Sequence, residues 1–166
     1  LGNKKKGDLE KIYTPPDLTL KMLAHLKKFY DGEITQFLEP ASGNGAIIDV
    51  LKKEYPTVPV LAFDIKNEAN RNDIIEMNFL KPTLKYDLSY KKGRVTIMNP
   101  PFSKAIIFIK RCLEVSDFVI SITGINSFIN LDYNLIDAKK IDIYKKYTFL
   151  DGKNYGICII SMKKEQ

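Results

Sequence analysis

Apolar strand-like runs alternating with amphipathic helical stretches predict an α/β fold, a mostly parallel sheet finished by an antiparallel hairpin. Two local signals agree: glycines at a strand-to-helix turn, and two β-rich segments closing the chain around Asp151-Gly152. At 166 residues the chain can bury one substantial core but not two large ones, so a single domain is expected.

The first dozen residues contain Lys4-Lys5-Lys6 and no apolar period, which predicts a flexible basic arm over residues 1–12. Asp17 is expected to cap a helix whose apolar stripe is Leu18, Met22, Leu26 and Phe29, and Asp31-Gly32 stops it. A strand Gln36 to Glu39, a helix about Ala46 to Tyr55 and a strand Val60 to Ile65 form a parallel strand-helix-strand opening. A short strand is expected around Asp73 to Met77, then loop or broken helix from Lys81 to Lys92. Val95 to Met98 has the continuous apolar character of a strand buried on both faces, and a helix from about Ser103 to Val115 follows. Phe118 to Ile122 is the next strand, a helix starts near Ser127, and Ile141 to Leu150 pairs with Tyr155 to Met162.

Hydrophobic residues make up 45% of the chain and charged residues 28%, which fits a packed globular protein. No apolar run approaches the roughly 18 residues of a membrane span, and Leu1-Gly2-Asn3-Lys4 has no apolar segment, so a cytoplasmic protein without membrane contact is expected. The net charge of +6 favours a polyanionic partner, nucleic acid first. Cys112 and Cys158 lack metal or redox spacing and read as buried free thiols, and His25 has no second ligand at metal spacing. Metal catalysis is not expected.

Glu39-Pro40-Ala41-Ser42-Gly43-Asn44-Gly45 lies between a strand and a helix, where glycines let a ligand approach the backbone. Ile48 occupies the place of a third fingerprint glycine, and no Lys-Ser/Thr pair makes a phosphate loop, which weakens NAD and ATP readings. The carboxylate of Glu39 suits a ligand with a positive head, such as S-adenosylmethionine. Asp64, about 20 residues past the glycines, is placed to accept both ribose hydroxyls, with Ile65 beside it. Asn78 and Phe79 offer an amide to an adenine edge and a ring to its face.

Asn99-Pro100-Pro101-Phe102 is the most specific signal. Two prolines make a stiff turn at the C-terminal end of a buried strand, where open α/β sheets bind ligands. If the Asn99 side-chain oxygen and the Pro100 carbonyl accept the two N–H bonds of a planar amine, its lone pair is released toward a methyl donor. Phe102 is expected to stack on a flipped or unpaired base.

Tyr13-Thr14-Pro15-Pro16, the Glu39 to Gly45 loop, Phe63-Asp64, Asn78-Phe79-Leu80 and Asn99 to Phe102, in that order, resemble the amino-group methyltransferases that modify adenine N6 in DNA. The resemblance spans nearly the whole chain. It implies a Rossmann-like class I methyltransferase fold with a seven-stranded, mostly parallel sheet and a C-terminal antiparallel hairpin. It implies a single catalytic domain over 13–166, with Tyr13 and Thr14 near the methionine end of S-adenosylmethionine. Glu39, Pro40, Ala41, Gly43, Gly45, Asp64, Ile65, Asn78, Phe79 and Asn99 are then its other cofactor residues, and Asn99, Pro100, Pro101 and Phe102 form the catalytic loop.

Two departures stand out. Asn78 occupies a position where the family often has Asp, and neither the 81–94 stretch nor the tail is large enough for a separate target-recognition domain. A specificity subunit, self-association, the basic arm or a preference for single strands could serve instead. Similar loops occur in RNA adenine and protein glutamine methyltransferases, which are the enzymatic alternatives; a non-catalytic nucleic-acid-binding or scaffold subunit is the alternative of another class.

Overall fold

A computed structural model describes residues 13–81, 85–86, 88–129 and 138–164. The elements run α1 (Pro16–Phe29), β1 (Gln36–Glu39), α2 (Ala46–Glu54), β2 (Val60–Asp64), β3 (Ile75–Glu76), β4 (Arg94–Met98), α3 (Ala105–Val115), β5 (Phe118–Gly124), α4 (Ile125–Ile129), β6 (Ala138–Thr148) and β7 (Asn154–Lys163). They build one seven-stranded sheet of order β3-β2-β1-β4-β5-β7-β6. The first five strands are parallel, β7 runs antiparallel to β5, and β6 at the edge is antiparallel to β7. The expected sheet and closing hairpin are both present.

Alternation along the strands sends successive side chains to opposite faces, and both faces are buried. Phe37, Ile97 and Phe118 join Leu18, Met22, Leu26, Ile47 and Leu51 on the face covered by α1 and α2. Their neighbours Leu38, Met98 and Val119 join Phe108, Ile109 and Cys112 of α3 on the other. Each fully buried side chain of this kind contributes about 1.5–3 kcal/mol. Cys112 and Cys158 are free and buried, and burial pushes the Cys112 thiol well above its ordinary range.

The expected cap at Asp17 is corrected by the structure. α1 starts at Pro16 with Pro15 in the capping position, and no side chain caps it. Proline suits this first turn because its ring pre-sets φ and its missing N–H would have no helical partner. Asp17 lies one residue inside and accepts a hydrogen bond from the Tyr147 hydroxyl. Several bounds also shift: β3 has only two residues, a 3-10 turn over Phe102–Lys104 delays α3, and β5 runs on to Gly124, so α4 begins at Ile125. β6 starts at Ala138 and carries two register irregularities against β7. The basic arm lies outside the described residues, and the described part of 81–92 contains neither helix nor strand.

α1 is joined to the closing hairpin by a buried polar contact. His25 Nε2 donates to the Asp142 carboxylate at 2.7 Å, and the Ser161 hydroxyl pairs with Nδ1 at 2.6 Å. Among the described residues no helix is long and apolar enough to cross a membrane. His25→Ala leaves a cavity and strips the buried Ser161 hydroxyl of its imidazole partner; it should destabilise the protein by about 2–4 kcal/mol in urea unfolding. An unchanged midpoint would show that the contact does not hold α1 to the hairpin.

Candidate functional site

The glycine loop is held by hydrogen bonds from its own chain. Ser42 N–H donates to the Phe63 carbonyl of β2 at 2.9 Å, and the Ser42 hydroxyl donates to the Glu39 carbonyl at 3.0 Å. Gly43 and Gly45 take φ of 55° and 84°, left-handed values that a side chain would strain. Gly43 N–H donates to Asp64 Oδ2 at 2.8 Å, which ties the loop to the end of β2. A Cβ on Gly43 would lie 3.4 Å from the Tyr13 ring. A Cβ on Gly45 would collide with the Arg71 guanidinium. Arg71 is held by Asp73 at 2.8 Å and Asp49 at 2.7 Å. Bonds to Asp73 and Asp49 raise the guanidinium pKa further, and Arg71 holds the Asp73 carboxyl far below its usual range.

Above this loop opens a cavity of about 320 Å³, a size that suits a small organic ligand. Of the expected site residues, Tyr13, Thr14, Glu39, Pro40, Ala41, Gly43, Asp64, Ile65, Asn78, Phe79, Asn99 and Pro101 line it. Five separate stretches of chain therefore meet at one edge of the sheet. Gly45, Pro100 and Phe102 do not line it.

Glu39 is 1% exposed, and its Oε1 accepts the Ala41 N–H at 3.1 Å. Burial drives its pKa well above 4.5, the Ala41 bond opposes this in part, and the charge of Asp64 adds to the rise. A buried carboxylate beside a cavity in this condition is stabilised by a cation placed there. Asp64 accepts Gly43 N–H on one oxygen and Lys66 N–H, at 3.1 Å, on the other. Each oxygen retains a second acceptor site. Asn78 Oδ1 accepts Leu80 N–H at 3.0 Å, so its Nδ2 is the amide atom suited to donating into the cavity. Phe79 is 1% exposed and stacks on Phe108, with centroids 6.0 Å apart and 8° between planes.

Asn99 follows the last residue of β4 and donates from Nδ2 to the Thr14 hydroxyl at 3.1 Å. Lys104 N–H closes the 3-10 turn on the Pro101 carbonyl at 2.9 Å. The Phe102 ring lies against Gly124, where a Cβ would sit 3.0 Å from it, and the Ser127 hydroxyl donates to the Phe102 carbonyl at 3.0 Å. The ring expected to meet a base is packed on the end of β5. Gly124, Ser127, Lys104 and Phe108 are additions to the sequence reading, the last two on the cavity wall. A glycine ending a buried apolar strand was the available signal for Gly124, because it marks close approach. No group of three or more metal-ligating side chains gathers among the described residues.

No protein-family model matches the chain, and no curated protein matches its sequence. Solved structures do match its fold. A Pyrococcus horikoshii protein assigned as an RNA methyltransferase superposes with a TM-score of 0.72 at 17% identity, covering 99% of this chain and 91% of that one. A Listeria monocytogenes protein assigned to the class I S-adenosylmethionine-dependent methyltransferases gives 0.69 at 12%, over 99% of this chain and 63% of that one. The methyltransferase subunit of a type I restriction-modification system from Streptococcus thermophilus gives 0.68 at 10%, over 94% of this chain and 45% of that one. At these identities the likeness is one of fold: the chain has the Rossmann-like fold of class I methyltransferases.

The folded protein keeps the Glu39 proton where the unfolded chain, near 4.5, has lost it. That contribution to stability is complete below 4.5 and declines as pH rises toward the folded-state value. Glu39→Gln, which can still accept the Ala41 N–H, should lack this decline and gain on the wild type as pH rises above 4.5 in urea unfolding. Parallel stability curves would show that Glu39 is not held protonated.

Proposed function

We propose that the protein is a methyltransferase that binds S-adenosylmethionine and methylates the exocyclic N6 amine of adenine in nucleic acid, DNA first. The observation that carries this reading is the opening of Asn99 and Pro101, from the turn after β4, and of the Gly43–Asp64 loop onto one cavity. The residues fit the cofactor: a buried carboxylate at Glu39 for its cationic end, paired acceptors at Asp64 for its ribose, and Ile65, Asn78 and Phe79 for its adenine. Tyr13, Thr14 and the loop from Pro40 to Asn44 complete that cradle, with Gly45 behind it. Bound there, S-adenosylmethionine supplies an electrophilic methyl group on a sulfonium.

The chain's own part is to prepare the amine, whose lone pair is delocalised into the base. Asn99 Oδ1 and the Pro100 carbonyl accept its two N–H bonds and favour a pyramidal nitrogen. As the new N–CH3 bond forms, the CH3–S bond breaks and its electron pair stays on sulfur. The methylated nitrogen then releases one proton to solvent. Pro100 and Pro101 keep both acceptors in place, so little reorganisation is needed during transfer. The net charge of +6 suits a polyanionic substrate in the cytoplasm, and a specificity subunit or self-association would supply duplex selectivity.

RNA adenine is a second reading, favoured by the likeness to a protein of nearly the same length assigned as an RNA methyltransferase. Incubation with methyl-labelled S-adenosylmethionine and separate pools of DNA, RNA and protein, followed by nucleoside analysis, tests both. Label on DNA as N6-methyladenine is expected. RNA label selects the second reading, and label on protein glutamine or on no pool refutes both. Asn99→Ala should reduce turnover at least about a hundredfold, the effect of losing one oriented group in a transition state, while still binding S-adenosylhomocysteine in calorimetry. Undiminished turnover would refute the mechanism.

A further inference from the structure

We propose that the tip of the β6–β7 hairpin, with Lys145 and Lys146 at its bulge, is a surface that holds the phosphate backbone of the substrate strand to one side of the target adenine. This rests on the nucleic-acid methyltransferase reading above. The hairpin reaches the right end of the sheet. Met98, the last residue of β4, lies opposite Ser121, and β5 runs on to Gly124, which lies opposite Ile157 of β7. The residues before Ile157 on β7, and those after its partner Tyr144 on β6, therefore stand past the strand ends that open onto the cavity. At about 3.3 Å per residue along a strand and about 4.8 Å between strands, the tip begins roughly 20 Å from the end of β4.

A bulge presents the two lysines there. Tyr144 pairs with Ile157 and Tyr147 with Tyr155, so Lys145 and Lys146 together oppose Gly156, an arrangement that re-aims side chains on the bulged strand. A Cβ on Gly156 would lie 2.9 Å from Ile125 Cδ1 and 3.3 Å from the Lys145 carbonyl oxygen, so the glycine makes room for the bulge against α4. Both lysines are exposed, and among the described residues neither forms an ion pair. The Asp151 carboxylate in the turn is engaged by the Tyr155 hydroxyl at 2.6 Å and the Lys153 N–H at 2.9 Å. Two strands standing past a sheet are marginal by themselves. Here Tyr144, Tyr147, Phe149 and Tyr155 pack edge to face in sequence, with centroids 5.5, 5.9 and 5.2 Å apart, and the Tyr147 hydroxyl donates to Asp17 at the start of α1. The charges thus sit on a braced stem.

Position separates this pair from the other lysine pairs. In a parallel α/β sheet, strand starts and helix ends share one edge, and ligands bind at the other. Lys27-Lys28 and Lys52-Lys53 fall in the last turns of α1 and α2, and Lys91-Lys92 come just before β4. Lys163 lies opposite Phe118, the first residue of β5, and Lys140 lies opposite Ser161, which faces Ile120. Among the described residues, Lys145-Lys146 is the lysine pair on the cavity side. Lysines on an edge strand also discourage edge-to-edge pairing, but that role does not depend on where along β6 they stand.

The test measures KM for an oligonucleotide of the nucleic acid that the wild type labels, extending on the order of ten nucleotides either side of the methylated adenine, since about 20 Å spans about six stacked nucleotides. Combined Lys145→Ala and Lys146→Ala should raise KM about tenfold, with kcat and calorimetric affinity for S-adenosylhomocysteine unchanged. The dependence of log KM on log salt should become shallower by about 1.4 for a single strand or about 1.8 for a duplex, two phosphates at about 0.7 or 0.9 each. Lys145→Arg with Lys146→Arg should keep the wild-type KM and slope. Lys91→Ala with Lys92→Ala removes the same charge at the opposite edge and should move neither. Thermal melting checks folding, and Lys145→Gln with Lys146→Gln replaces the alanine pair if that variant melts low.

Unchanged KM and salt slope in the Lys145 and Lys146 variants overturns the proposal. An equal loss in the Lys91 and Lys92 variant also overturns it, because net charge and not the hairpin would then account for binding. So does self-association of the hairpin variant with KM unchanged, which would assign the pair to guarding the edge of the sheet. A wild type that labels neither DNA nor RNA instead refutes the function on which the proposal rests.

Discussion

The position of β1 between β2 and β4, parallel to both, is the constraint on which the rest of the molecule depends. Register puts Leu38 beside Leu61 on one side and Thr96 on the other, so three strands end along one edge. The chain then leaves that edge on opposite sides, since α2 after β1 covers one face and α3 after β4 covers the other. A crevice between the departing segments follows from the topology and needs no special side chain. What the sequence adds is the chemistry at the strand ends: Glu39 at the end of β1, Asp64 at the end of β2, and Asn99 just past β4.

The opposite edge shows what a satisfied acid looks like in the same sheet. Burial alone would raise the Asp117 pKa, but the hydroxyls of Tyr90 and Tyr30 and the Gly93 N–H, the last at 2.6 Å, outweigh it and lower it. Arg94, 3% exposed, is likewise answered by Gln36 at 2.7 Å and by the carbonyls of Ser89 and Val115. Those groups hold β4 and β5 to the loops beneath them. Among the described residues Glu39 has a single weak backbone donor and a neighbouring negative charge, which leave its burial uncompensated. The contrast within one sheet separates a structural acid from one suited to a cationic ligand.

Much of this was legible because burial on both faces leaves an unmistakable pattern. Val95 to Met98 and Phe118 to Ile122 contain almost no interior polar residue, and both are strands at the centre of the sheet. The places of the glycine loop, Asp64 and Asn99 were legible because they fall at strand ends, which that pattern locates. Features that depend on distant partners were not. Asp17 resembles a cap until Pro16 is seen to occupy the first helical position, and its actual partner is Tyr147. The β6 irregularities arise from pairing with β7, and local composition carries no trace of them. The Thr14–Asn99 contact likewise joins two motifs that are each readable alone.

Phe102 shows why orientation escapes a motif. Its place in Asn-Pro-Pro-Phe suggests a ring offered to a base, yet the ring lies on Gly124 because that residue has no side chain to exclude it. With the Ser127 hydroxyl on the Phe102 carbonyl, this packing holds the far end of the turn to the junction of β5 and α4. Thr14 holds the near end through Asn99, and the Lys104 N–H holds the middle through the Pro101 carbonyl. A turn pinned at three points by three parts of the chain can present fixed acceptors without rearranging as charge develops, which is where preorganised sites derive most of their effect. The ring of Phe102 thus supports the turn from behind, by rigidity, in the packing seen here.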